Sequence, residues 1–166
     1  MKEYTHVIHD LAPVYNEHSK ILVLGSLPSV KSRGHFFYNH PRNRFWKVIS
    51  AVTGRPVPEQ IPEKKCLLLE SGIALWDVIR ECDIIGSSDS SIRNAVPNDI
   101  RPILEESRIR AVFTNGAAAD RLYRRYLQPL TGRPSVLLPS TSPANASWDL
   151  ERLTACWCKE IGPYLA

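Results

Sequence analysis

Residues 36–46 read FFYNHPRNRFW: three adjacent rings, then His40-Pro41, then Arg42, Asn43 and Arg44 ahead of Phe45-Trp46. Rings offer flat apolar surface to a planar partner, and guanidinium groups make charge-assisted hydrogen bonds to phosphate. Asn43 is polar, neutral and placed where a helical pattern begins, so an N-cap is its other reading. Phe45 and Trp46 read as core anchors of that helix, and Phe36 and Phe37 as either core or wall. Two further stretches are of similar kind. In GSLPS (25–29), Gly25 allows close backbone approach, and the hydroxyls and amides of Ser26 to Ser29 suit a base edge or a phosphate. In PSTSPANA (139–146), Ser140, Thr141, Ser142 and Asn145 are small neutral donors, stiffened by Pro139 and Pro143, that suit phosphate oxygens. An ordinary strand-to-loop turn and a helix-capping loop are the plainer readings of these two.

All three stretches lie beside segments able to position them. The apolar runs 21–27, 73–78, 110–115 and 135–140 are too short for helices and lack clean alternation, as expected of parallel strands covered on both faces. Helical patterns cover 43–52, 63–71, 98–107, 116–127 and 147–161, with Asn98 or Asp99 capping the third and Ser147 the last. This alternation predicts one domain over 1–166, an α/β three-layer sandwich around a four-stranded parallel sheet. Sites in such folds form at the carboxyl ends of strands. The polar residues 25–29, Asp77, Asn115 and 139–145 fall at those ends.

The net charge is +4, but residues 18–58 hold no Asp or Glu while carrying Lys20, Lys31, Arg33, Arg42, Arg44, Lys47 and Arg55. Residues 121–148 are likewise acid-free, with Arg121, Arg124, Arg125 and Arg133. Two basic stretches around a more acidic middle suggest a face for a polyanion, or simply a solvated basic surface. Cys66, Cys82, Cys156 and Cys158 form no CxxC motif and read as reduced core thiols. The charged N-terminus and the lack of a long apolar run predict a cytoplasmic protein without a membrane span.

GSLPS, an aromatic run into HPRNRFW, and PSTSPANA before the last helix together resemble the uracil-DNA glycosylase superfamily over residues 20–160. HPRNRFWKVI is similar to the matching segment of mismatch-specific uracil- and thymine-DNA glycosylases, and GSLPS and STSPAN to the hypoxanthine-DNA (DNA-deoxyinosine) glycosylase branch. The mismatch-specific branch has a water-positioning Asn where this chain has Leu27. The resemblance therefore implies that Asn43 takes over, with Asn115 a second neutral group in reach of base or water. Aligning on His40-Pro41 puts Tyr38 where a ring stacks the base. Base–aromatic stacking is worth about 1–3 kcal/mol.

The implied reaction flips a deaminated base, hypoxanthine foremost, from DNA and hydrolyses its N-glycosidic bond through an oxocarbenium-like state. Amides of Ser26 and Leu27 can meet the departing base, and an Asn carbonyl can hold the water. Asp77 stands where the uracil-specific branch has a base-reading Asn. It can accept from a ring N–H or stabilise charge on the sugar, and a helix N-cap is its plainer reading. His40 can touch the base or shape the turn. Ser29, Arg42, Arg44, Ser140, Ser142 and Asn145 are expected on DNA. Residues 87–100 read as a polar loop and a helix cap, with Ser91, Arg93 and Asn94 as weaker candidates. No metal or cofactor is called for, no Lys is placed for Schiff-base chemistry, and a monomer is expected. A uracil-preferring enzyme and an inactive damaged-DNA binding module are the alternatives, with a hydrolase of free nucleosides a more distant one.

Overall fold

The computed structural model describes residues 3–30, 32–33 and 35–165; Lys31 of the first basic stretch lies outside them. Strand β2 (Ile21–Gly25) is buried throughout. Beside it run β3 (Ile73–Asp77), β6 (Ala111–Asn115) and β7 (Ser135–Leu138), in the order β3-β2-β6-β7, every pair parallel. Side chains alternate across the pleat. Ile21 and Val23 join a core with α1 (Phe45–Thr53), α2 (Ile61–Ser71) and α6 (Leu150–Leu165). Leu22 and Leu24 join a second core with α3 (Arg101–Glu106) and α4 (Ala117–Tyr126) on the other face. These are the expected three layers. A short α5 (Gln128–Thr131) leads into β7.

β2, β3 and β7 stop earlier than their apolar runs and β6 ends with its run at Asn115, so the polar residues sit where the pairing ends. A second, antiparallel sheet was not legible. It has the order β1-β4-β5, from Thr5–Ile8, Ile79–Ile84 and Arg93–Pro97. Its central strand reads IRECDI, and its outer strands are largely exposed, so no continuous apolar run marks it. Residues 93–97, read as loop, are therefore strand. Asp77 is followed by β4 and not by a helix, which removes its N-cap reading.

Other expectations are corrected too. Asn98 does not cap α3; its buried amide donates to the carbonyls of Asp77 at 2.9 Å and Ile79 at 3.2 Å. Asp99 accepts from the Arg101 N–H at that helix start. Asp149, not Ser147, caps α6, accepting from the Arg152 N–H at 2.8 Å. Of the thiols only Cys82 is buried; Cys66 and Cys158 are exposed and Cys156 is half-buried.

The chain between β1 and β2 lies along the outer edge of β3. Val14 and Leu75 exchange backbone hydrogen bonds of 3.0 and 2.9 Å, and the Trp76 indole donates to the Leu11 carbonyl. An edge strand is thereby covered.

Phe45 ties this frame to the loop ahead of α1. It is fully buried, stacked on Tyr38 with centroids 4.2 Å apart, and edge-on to Trp46 and Trp157. Phe45→Ala should destabilise the protein by about 3–5 kcal/mol, read from the midpoint of urea unfolding.

Candidate active site

The carboxyl ends of β2, β3, β6 and β7 surround a cavity of about 150 Å³. Residues 25–29 form one wall, Asp77 and Asn115 stand at its strand ends, Ser140 to Ser142 close another side, and Tyr38 and Asn43 reach in from the loop before α1.

Asp77 is 3% exposed. A carboxylate in such a place needs donors. One oxygen, Oδ2, accepts from His9 Nε2 at 2.8 Å, and the His9 side chain is wholly buried. His9 Nδ1 accepts the Leu11 N–H at 3.2 Å, which puts the ring proton on Nε2 and makes that nitrogen the donor. The other oxygen, Oδ1, points at Gly25. A Cβ on Gly25 would lie 2.3 Å from it and 2.9 Å from the Tyr38 hydroxyl. Only glycine fits there. His9 carried no signal in the sequence, because a lone His in a polar stretch has no visible partner.

Thr141, fully buried, is the hub of the opposite wall. Its N–H donates to Asn115 Oδ1 at 3.0 Å, its hydroxyl accepts from Asn115 Nδ2 at 3.0 Å, and that hydroxyl donates to Asn43 Oδ1 at 2.9 Å. Asn43 Oδ1 also accepts the Phe45 N–H at 2.9 Å. A backbone donor fixes the amide orientation of each Asn. Asn115 thus has both ends of its amide on Thr141 and braces the loop. Asn43 has its carbonyl engaged twice, so the group it offers the cavity is the amide NH2. The carbonyl expected to hold a water is already occupied.

Arg44 turns inward. Its guanidinium donates to the carbonyls of Thr141, Ser142, Asn145 and Trp148, stapling the 139–148 loop from beneath. Loop polar groups do the rest: Ser140 Oγ accepts the Ser142 N–H, Ser142 Oγ the Ala144 N–H, and the Asn145 amide donates to the Ser140 carbonyl. Ser140 and Ser142 line the cavity and Asn145 does not. His40 also stays outside it, accepting the Arg42 N–H at 3.0 Å and shaping the turn. Arg42 is exposed. Ser29 and Leu27 are on the wall; the Ser29 hydroxyl bonds that of Ser32. Phe36 and Phe37 are both buried in the core, and Phe37 also touches the cavity.

Asp89, from the turn between β4 and β5, is a further residue missed. It lines the cavity and accepts from Ser26 Oγ at 2.8 Å. Burial pushes its carboxyl up, the nearby Asp77 adds to this, and the Ser26 hydroxyl, Arg121 and Arg33 work against it. Arg33 holds that segment down, donating to the Pro28 and Gly86 carbonyls.

A family model described as the uracil DNA glycosylase superfamily matches residues 12–161. The chain belongs to that superfamily. It is 34% identical over 142 residues to a protein of Methanosarcina acetivorans named hypoxanthine DNA glycosylase, covering 84% of this chain and 89% of the other. A Methanosarcina barkeri protein of the same name is 30% identical over 132 residues, covering 78% and 83%. A solution NMR structure of a Methanosarcina acetivorans protein, described as a candidate uracil DNA glycosylase, superposes with a TM-score of 0.78 at 30% identity, covering 93% and 96%.

Within this superfamily fold, the expected basic face is thinner than the sequence implied. Arg33, Arg44 and Arg133 donate to backbone carbonyls, Arg55 pairs with Glu70, and Arg124 with Asp120. Arg42, Lys47 and Arg121 are exposed. No helix among the described residues is long and apolar enough to cross a membrane.

Thr141→Val keeps the shape but takes the acceptor from Asn115 Nδ2 and one of its two donors from Asn43 Oδ1. It should cost about 1–3 kcal/mol by chemical denaturation. Asp89 gives a pH signature. Its raised folded value favours the neutral form, so its contribution is complete below the ordinary carboxylate range and is lost as pH rises through the folded value. Asp89→Asn should therefore melt higher than wild type at neutral pH, with the difference closing below about pH 4. A pH series of melting curves checks both halves.

Proposed function

We propose that the protein is a monofunctional DNA glycosylase that removes deaminated bases, hypoxanthine first, and leaves an abasic site. The choice of base rests on kinship: relatives named hypoxanthine DNA glycosylase align with most of the chain. The site's chemistry is compatible with it. The cavity is small, joins neutral donors to buried acceptors, and lies where this fold binds ligands.

Cleavage breaks the bond between the sugar C1′ and the base nitrogen. The electron pair leaves with the base, and water adds to C1′. The departing base needs donors. The Asn43 amide and the backbone amides of Ser26 and Leu27 supply them, as an oxyanion hole would. Donors weaken a nucleophile, so the Asn43 NH2 belongs at the base and not at the attacking water. The water needs an acceptor, and Asp89 is a carboxylate on the cavity wall whose burial strengthens it as a base. Ser29, Ser140 and Ser142 meet the flanking phosphates, with Arg42 as electrostatic support. The partner is DNA carrying the damaged base, met by one copy of the chain, and the setting is cytoplasmic.

Lys64 is the buried lysine among the described residues, and burial lowers its pKa. It packs over the Trp46 ring at 5.3 Å and is not part of the cavity wall. Schiff-base chemistry with the sugar is therefore not expected.

Single-turnover assays on oligonucleotides containing hypoxanthine, uracil or xanthine test this reading. Wild type should release hypoxanthine fastest and leave the strand intact until alkali is added. Asn43→Ala should fall at least a hundredfold, or about 2.7 kcal/mol of barrier. Excision of uracil alone would move the protein to a uracil-preferring branch. Damage-selective binding without excision would make it a reader of lesions.

A further inference from the structure

The Tyr38 hydroxyl is the buried side-chain polar atom without a hydrogen-bond partner among the described residues. Such groups are few in native proteins, and each needs a reason. The position is also constrained. Tyr38 has φ of +53°, unusual for an aromatic residue, and one ring face is covered by Phe45 at 4.2 Å. The expected stacking platform thus has half its surface in use, and its polar tip is aimed into the inner wall of the cavity. There it sits beside Asp77 Oδ1, both atoms flanking the bare face of Gly25. His9 occupies Oδ2, and among the described residues none donates a hydrogen bond to Oδ1.

A donor next to an acceptor matches one kind of base edge. Hypoxanthine presents the O6 acceptor next to the N1–H donor. Adenine presents the reverse, an amino donor next to the N1 lone pair. We propose, on the reading that a deaminated base is flipped into this cavity, that Tyr38 and Asp77 read that edge as a pair: the hydroxyl donates to O6 and Oδ1 accepts from N1–H. His9 is the positioning residue that keeps the carboxylate turned. An adenine in the same pose sets its N1 lone pair against a carboxylate, which no rotation of the tyrosine hydroxyl relieves. Sites built to hydrogen-bond one edge reject its reverse strongly, because their own buried groups are left unpaired. Burial above all, with Asp77 and Asp89 close by, raises the Tyr38 pKa, against the pull of the nearby Asn115 amide, which stands beyond hydrogen-bond geometry, so the hydroxyl keeps its proton throughout the working range. The pair explains how a cavity with an acceptor-only carboxylate also meets a carbonyl.

Tyr38→Phe keeps the ring and its stack on Phe45 and removes only the hydroxyl. It should be compared with wild type on DNA containing hypoxanthine and on DNA containing 6-thiohypoxanthine. The thione keeps N1–H but replaces O6 with a poor acceptor. Hypoxanthine release should fall ten- to a hundredfold in the variant, while its rate on the thione should stay within threefold of wild type. Because the free protein loses an unpaired polar group, the variant should melt no lower than wild type. Undiminished release of hypoxanthine, an equal loss on both bases, or a lowered melting temperature would each overturn the pairing. Wild type inert on every deaminated base would instead remove the proposed function beneath it.

Discussion

A buried carboxylate governs this molecule. Asp77 is removed from water at the end of a central-sheet strand, and an isolated carboxylate there would cost far more than the fold could offset. Three consequences follow through the chain. A donor must arrive, so the segment after β1 is laid along β3 until His9 reaches Oδ2. Room must be left, so β2 ends in a residue without a side chain. The backbone at that corner must be held, so Asn98 bonds the carbonyls on both sides of Val78. The antiparallel sheet serves the same end, since β4 leaves directly from this corner and pairs with β1, the strand that delivers His9.

The opposite wall is built on a different principle. It uses no ionised acceptor, only amides, a hydroxyl and backbone carbonyls, all converging on Thr141 and Arg44. Arginine there acts as a rigid fork; its charge is spread over four carbonyls. This explains why cation density in a sequence overstates cation density on a surface. Three arginines that looked available to a polyanion, Arg33, Arg44 and Arg133, instead brace backbone carbonyls of neighbouring segments.

The parallel sheet was legible because its strands are short apolar runs, buried on both faces in β2 and largely so in β3 and β6, while β7 is apolar but half open at Leu137. The cavity wall was legible because polar residues begin where those runs stop. Tyr38, Asn43, Asp77 and Asn115 were all singled out, yet only their positions were readable. Which atom of each faces the cavity depends on partners: Phe45 and Thr141 for Asn43, Thr141 for Asn115, His9 for Asp77. His9 and Asp89 were missed because neither belongs to a periodic pattern or motif, and Asn98 was read as a helix cap instead of a clamp on the Asp77 and Ile79 carbonyls. Each acts through a contact with chain distant in sequence. The second sheet was missed because its strands are short, charged and open to solvent on one side, which is also how a polar loop reads.

Those distances set an order of events. His9 meets Asp77 across 68 residues, Asn43 meets Thr141 across 98, and Arg44 meets Trp148 across 104. Contacts of such separation form slowly, after local structure has condensed. On a ribosome, synthesis runs from the N-terminus, so the Asp77 side can assemble well before residues 139–148 exist. The cavity then closes only when residues 139–148 have emerged. A nascent or partly folded copy therefore has the acceptor without the opposing wall. An enzyme of this design would be withheld from DNA until residues 139–148 have been made and have folded against Asn43 and Arg44, with no separate inhibitor.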